Sequence, residues 1–309
     1  MAIRTLTSRA NAILAGAISL TMLAFSASAA DISVKHASGE TTLRERPVKI
    51  LTFDIAALDT LTALGVDVAG VPKGNKPDYL SKYAGDKVAT IGTLFEPDYE
   101  AVAAAQPDLI VVAGRSRSKY AELAKIAPTI DLTVDPENFL AQAQENVRTL
   151  ARITGKQEQG DALLAKLASS TAALKEKSAK AGKSLLVLTT GGKMSSYGPG
   201  SRFGMLFTDY GFPASEEAGM TKGTHGKPSS FEYILEKNPD WLFVIDRDAA
   251  IGREGAAAKF LDNEVVAQTT AWKTGHVVYL NSTSWYLVGG GITAMQATVD
   301  QLTAALDKM

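Results

Sequence analysis

Three arginines stand where strand-like runs end. Arg115 follows DLIVVAG, Arg202 lies in the Gly-rich loop after SLLVLTT, and Arg247 directly follows WLFVID. In open α/β sheets the ligand crevice lies beyond the carboxyl ends of the strands, so these positions predict convergence on one cleft. Guanidinium groups gathered in one cleft need an anionic guest, held by charge-assisted hydrogen bonds. RSRSK offers two arginines for the first position; Arg115 is preferred over Arg117 because it follows the strand directly. Asp246 and Asp248 flank Arg247: pointing away they leave it free, and pairing with it they weaken the argument. His225, in GMTKGTHGKPSS, and Tyr286, in NSTSWYLVGGG, occupy two further loops of the same kind.

Catalytic patterns are absent. There is no G-x-S-x-G elbow, no GxGxxG and no P-loop in GGKMSSYGPGSRFG or elsewhere. His36, His225 and His276 are too widely spaced for a three-His metal site, and the chain has no cysteine. No base–nucleophile pair is visible. These residues describe a binding protein, not an enzyme.

The elements that must position these side chains alternate between strand and helix. VKILTF (48–53), VDVAGV (66–71), KVATIG (87–92) and DLIVVAG (108–114) are expected strands, with helices at 98–106 and 117–126. Asp54 is expected to cap the helix IAALDTLTALG, which Gly65 ends. SLLVLTT (184–190) opens a second α/β run, followed by a Gly-rich loop, the helix RFGMLFTDYG, FEYILEKN, the strand WLFVID, the helix AAAKFLDNEVVAQ, the strand HVVYL and a helix from about Gly291. Ahead of the first run, residues 32–45 suggest a β-hairpin turning at Ser38-Gly39.

Between the two runs lies PENFLAQAQENVRTLARIT, where apolar residues at spacings of one, three and four (Phe139, Leu140, Ala143, Val147, Leu150, Ala151) mark one amphipathic helix. Asn138 is a candidate cap, Arg148 and Arg152 suit the C-terminal end of the helix dipole, and Gly155 can stop it. The same short pattern stands on both sides: Glu100, then Pro107-Asp108 and the run LIVV; Glu232, then Pro239-Asp240 and the run WLFVI. Equal spacing in the two halves predicts a pseudo-duplicated chain: an N-terminal α/β lobe over 30–136, an inter-lobe helix over 137–156, and a C-terminal α/β lobe over 157–309.

Residues 1–29 read as a secretory signal, with Arg4 and Arg9, an apolar stretch from Ala10 to Phe25, and the small-residue site Ala27-Ser28-Ala29. Cleavage would remove both arginines and no acidic residue, taking the net charge from −1 to −3, with no basic tract for nucleic acid. Without a cysteine there is no disulfide and no lipid-modified N-terminus. The expectation is a soluble monomer of the periplasm.

The runs ILTFDIAALDTLTALG, IGTLFEPDYEAVAAAQPDLIVVAGRSRSKY, YGPGSRFG, THGKPSSFEYILEKNPDWLFVIDR and SWYLVGGG together resemble the periplasmic binding proteins of ABC importers for ferric siderophores, the group that takes enterobactin-type catecholates and their breakdown products. The resemblance covers essentially the whole mature chain. It implies the class III fold, two α/β lobes joined by one long helix, and a cargo of iron(III) held as a catecholate siderophore complex, with no permanent cofactor. It implies that Arg115, Arg202 and Arg247 form the family's arginine triad and that His225 and Tyr286 are its two iron-binding side chains. It further implies that Glu100 and Glu232 dock on the inner-membrane permease, where the residues alone suggest first-turn compensation of helix dipoles. Haem or cobalamin is the alternative cargo, since the same architecture carries both.

Overall fold

The computed structural model describes residues 1–2, 31–85, 88–215 and 225–308. Residues 3–30, which hold almost all of the expected leader, lie outside the described residues, as does the stretch 216–224 ahead of His225.

Two five-stranded sheets carry the fold. A hairpin of β1 (Ile32–His36) and β2 (Gly39–Leu43) precedes them, with its turn at Ala37 and Ser38, one position earlier than the sequence suggests. β3 (Ile50–Thr52), β4 (Gly70–Val71), β5 (Ala89–Thr90), β6 (Leu109–Val112) and β7 (Thr129–Asp131) form an all-parallel sheet in the order β5-β4-β3-β6-β7. β8 (Ser184–Thr190), β9 (Lys193–Tyr197), β10 (Lys227–Ser229), β11 (Trp241–Asp246) and β12 (Val277–Tyr279) form a mixed sheet in the order β10-β9-β8-β11-β12, with β9 and β10 antiparallel. The inner strands β6, β8 and β11 are nearly continuous apolar runs because helices cover both faces of each sheet.

Several elements differ from expectation. β9 occupies part of the Gly-rich segment read as loop: Gly191 and Gly192, both at positive φ, form a two-residue turn that pairs Thr190 with Lys193. β7 and β10 have no counterpart among the expected strands. The expected helix at 202–211 shrinks to Met205–Thr208, and AAAKFLDNEVVAQ splits into Ala257–Leu261 and a short turn at Val266–Gln268.

The repeated pattern is a repeated structure. Helices Tyr99–Ala105 and Phe231–Lys237 each have seven residues, are capped by Asp98 and Ser230, and end in a left-handed residue that is not glycine, Gln106 and Asn238. Pro and Asp then turn the chain into β6 and β11. Asp108 Oδ2 accepts from Val48 N and Lys49 N at the entry to β3, and Asp240 Oδ2 accepts from Lys183 N at the entry to β8. The carboxylates thus set the same parallel pairing twice, Ile50 opposite Leu109 and Ser184 opposite Trp241.

The amphipathic helix runs Phe139–Thr154 and stops at Gly155, φ +71. Asn138 makes no side-chain cap; Asp135 instead accepts from Glu137 N, starting a short turn over Pro136–Asn138 that leads into the helix. Along this helix the buried face changes core. Phe139, Ala143 and Val147 pack with residues of the second sheet, including Leu186 and Phe243, whereas Leu150, Ala151 and Ile153 pack with those of the first, including Ile50 and Leu109. The structure is two α/β lobes with this helix reaching into both. Among the described residues no helix is long and apolar enough to cross a membrane.

Candidate functional site

Arg115 from one lobe and Arg202 and Arg247 from the other converge on Tyr286. Arg115 Nη2 and Arg202 Nη2 both donate to the Tyr286 carbonyl oxygen, at 2.6 and 2.5 Å. Arg247 Nε donates to the Tyr286 hydroxyl at 2.9 Å, and its Nη1 to Thr190 Oγ1 at 3.3 Å. The guanidinium carbons lie 5.3, 4.5 and 5.6 Å from the Tyr286 ring centre for Arg115, Arg202 and Arg247. Tyr286 sits in the π-helical turn Ser284–Val288, closed by Gly289 N donating to Ser284 O at 2.6 Å. This irregular turn leaves the Tyr286 carbonyl to the arginines.

Local structure aims each arginine. Ser116, buried, accepts from Ala113 N and donates back to Ala113 O, which fixes the turn carrying Arg115. Arg202 projects from a tight loop in which a Cβ on Gly204 would stand 2.8 Å from Gly200 N. Arg247 begins the helix Arg247–Ala250. Its two acidic neighbours turn elsewhere: Asp246 accepts from Ala249 N and Ala257 N, and Asp248 from Gly191 N, with Arg253 at 3.8 Å. Among the described residues no carboxylate forms an ion pair with Arg115, Arg202 or Arg247. Arg117, by contrast, pairs with the buried Asp131 at 3.3 Å, so the two candidates in RSRSK face different partners.

Arg115, Arg117, Arg202 and Tyr286 line a cavity of about 620 Å³ whose apolar wall includes Phe139, Leu150, Phe203 and Trp285. Arg247 reaches the cluster through the Tyr286 hydroxyl. Burial, and then the charge of Arg115, lowers the Arg202 pKa. For Tyr286, burial pushes the phenol up, but the hydrogen bond from Arg247 and the charges of Arg202 and Arg247 outweigh it and bring it below its ordinary value. Asp54, also on the cavity wall, is pushed up to about 6 by burial, against the pull of Ala57 N and Arg115.

His225 is exposed and does not line this cavity. Glu100 and Glu232 are both exposed in the first turns of Tyr99–Ala105 and Phe231–Lys237, one per lobe, and the Ser230 side chain holds the Glu232 carboxyl below its usual range. Among the described residues no group of three or more His, Asp or Glu side chains could hold a metal ion.

Two contributors went unread in the sequence. Asn75 Nδ2 crosses from the first lobe to Ala250 O, at 2.8 Å, on the helix that begins with Arg247. Only Gly74-Asn75 as a turn signal pointed to it. Asp59 ties the two lobes elsewhere, and its signal was stronger: a carboxylate four residues after the apolar Ile55 stands on a helix's buried face.

A two-lobed α/β body with an arginine-lined cavity between the lobes defines a solute-binding protein. A family model described as periplasmic binding protein matches residues 50–283, and the chain belongs to that family. It is 39% identical to the petrobactin-binding protein YclQ of Bacillus subtilis, over 90% of this chain and 89% of that one. It is 31% identical to the ferric-anguibactin-binding protein FatB of Vibrio anguillarum, over 88% and 86%. Among solved structures, that of YclQ superposes with a TM-score of 0.86 (38% identity, 90% and 99% coverage). The periplasmic catecholate-siderophore binding protein VctP of Vibrio cholerae superposes at 0.84 (32%, 89% and 99%). These relatives are substrate-binding proteins, not enzymes.

Proposed function

We propose that this chain captures iron(III)–catecholate siderophores in the periplasm and delivers them to an inner-membrane ABC importer. The observation that carries this is the cluster of three guanidinium groups, none paired with a carboxylate among the described residues, around one tyrosine. A ferric tris-catecholate is a compact trianion with aromatic faces, which suits both the charge and the apolar wall of the cavity. The siderophores named for YclQ, FatB and VctP favour this cargo over haem or cobalamin. Iron enters as cargo, and Tyr286 and His225 complete its coordination when the siderophore leaves two positions open. The lobes span 30–136 and 157–309, joined by 137–156; the protein works as a monomer, freed by cleavage of its leader and without a lipid anchor. Titration with ferric catecholates, haem and cobalamin side by side, read by quenching of Trp285 at the cavity wall, tests the assignment. Quenching by haem or cobalamin alone would overturn it.

Glu100 and Glu232 offer one exposed carboxylate on each lobe for the permease. Reversing both charges is expected to abolish siderophore-dependent iron uptake while leaving ligand affinity unchanged, as measured by uptake of labelled iron and by fluorescence titration. A fall in affinity would show instead that they act through the fold.

The Asn75–Ala250 hydrogen bond joins the two lobes, so it must break if they part to release cargo. A single neutral hydrogen bond contributes about 1 kcal/mol, so Asn75→Ala should release ligand about fivefold faster in stopped-flow dissociation. An unchanged release rate would mean the contact opens freely.

A further inference from the structure

Asp59 lies on the helix Ile55–Ala63, and the whole residue is buried. A carboxylate taken out of water is costly unless charge-assisted hydrogen bonds replace its hydration. Those bonds come from far along the chain. Asp59 Oδ1 accepts from Thr293 N at 2.8 Å and Oδ2 from Ala294 N at 3.1 Å, while the Tyr79 hydroxyl donates to Oδ2 at 2.5 Å. Beside it, Thr60 Oγ1 accepts from Ile292 N at 3.3 Å. These are the first three N–H groups of the helix Ile292–Leu306, whose own N-cap residue, Gly291, has no side chain to offer. The helix's own ladder starts only at Met295 N, bonded to Gly291 O at 2.8 Å.

The first lobe therefore caps a helix whose Met295, Val299, Leu302 and Leu306 belong to the core of the second. Glycine at 291 permits the approach, since a Cβ there would stand 2.6 Å from both Cβ and Cγ of Asp59. Tyr286 lies five residues upstream. Between it and the cap, Leu287 and Val288 are buried in the first lobe's core, and Gly289, Gly290 and Gly291 follow, residues with little conformational stiffness of their own. Burial pushes the Asp59 carboxyl up, and the bonds from Tyr79, Thr293 and Ala294 offset this only in part.

We propose that Asp59 is the positioning residue of the arginine–tyrosine cluster: by capping Ile292–Leu306 from the opposite lobe it fixes the turn that holds Tyr286 against Arg115, Arg202 and Arg247. Its consequence for ligand affinity rests on the reading of Tyr286 as a ligand-binding residue; its consequence for Tyr286 itself does not.

The test reads the Tyr286 ring-carbon chemical shift at one neutral pH in the unliganded, full mature chain, assigned by its loss in Tyr286→Phe. Asparagine at 59 can serve only one of the two helix N–H groups. In Asp59→Asn the Tyr286 resonance is expected to shift and broaden as the ring loses its fixed place among the three guanidinium groups, with a smaller change in Tyr79→Phe. Affinity for a ferric bis-catecholate should fall about tenfold in Asp59→Asn. If Asp59→Asn does not fold, Tyr79→Phe, which keeps the carboxylate and both backbone bonds, carries the measurement alone. An unchanged Tyr286 resonance in the variants that fold overturns the proposal, whatever the affinity. A shifted resonance with unchanged affinity upholds the positioning role and removes Tyr286 from the ligand site instead.

Discussion

Replacing Arg202 by alanine is expected to weaken binding of a trianionic ferric tris-catecholate about ten- to a hundredfold, because a charge-assisted hydrogen bond contributes about 1.5–3 kcal/mol. Arg247→Ala should do the same, because it removes from the cluster a guanidinium charge that the anionic guest would otherwise meet beside Tyr286. The unliganded site explains why the effect is large. Arg115 and Arg202 share one carbonyl oxygen, a neutral acceptor that cannot balance two charges, and the Arg202 pKa is lowered by burial and then by Arg115. An anionic guest supplies the missing charge. Removing Arg202 relieves that repulsion at the cost of its contact with the Phe203 ring, so thermal unfolding should change little while affinity falls. A variant that melts early and loses affinity only in proportion would point to a structural arginine.

Tyr286→Phe should separate two kinds of cargo. A hexadentate tris-catecholate fills all six positions on iron(III), leaving the protein only arginines and packing. A tetradentate bis-catecholate leaves two positions, which a phenolate and an imidazole can fill. Arg247 and Arg202 already favour the phenolate by lowering the Tyr286 pKa against the opposing effect of burial. Loss of the hydroxyl should therefore shift the visible charge-transfer band of the bis-catecholate complex and weaken it at least about tenfold, with a much smaller change for the tris-catecholate. Coordination releases the phenol proton and requires neutral imidazole, so bis-catecholate affinity should fall on acidification, more steeply than tris-catecholate affinity. His225→Ala should shift the same band. His225 is exposed beside the stretch 216–224, so the band tests whether it reaches the iron once cargo is bound. An unchanged band in both variants would rule coordination out.

Much of this was legible because the chain says it twice. The Glu–Pro–Asp–strand pattern became two helices of equal length, two left-handed caps and two carboxylates setting the same strand pairing. Strand-end placement found Arg115 and Arg247 because parallel strands bring such loops to one edge, whereas Arg202 follows the antiparallel β9 rather than β8, so its convergence did not follow from that rule. Other features stayed hidden for physical reasons. Gly191-Gly192 looked like a loop because composition does not separate a flexible glycine pair from a hairpin turn at positive φ. Asp246 caps Ala249 N locally, but Asp246 and Asp248 could not be assigned in full because only tertiary structure supplies Ala257 N and Gly191 N. Asp59 escaped because its partners, Thr293 and Ala294, are more than two hundred residues away.

We propose that this cleft selects an iron complex by negative charge. Equilibrium titration of the wild-type protein with a ferric tris-catecholate and a neutral ferric tris-hydroxamate of similar size, read by tryptophan fluorescence in one buffer, separates charge from size. The three arginines predict at least about a thousandfold preference for the trianion. Comparable affinity for the two complexes, or a preference for the neutral one, would mean that the arginines do not select the cargo.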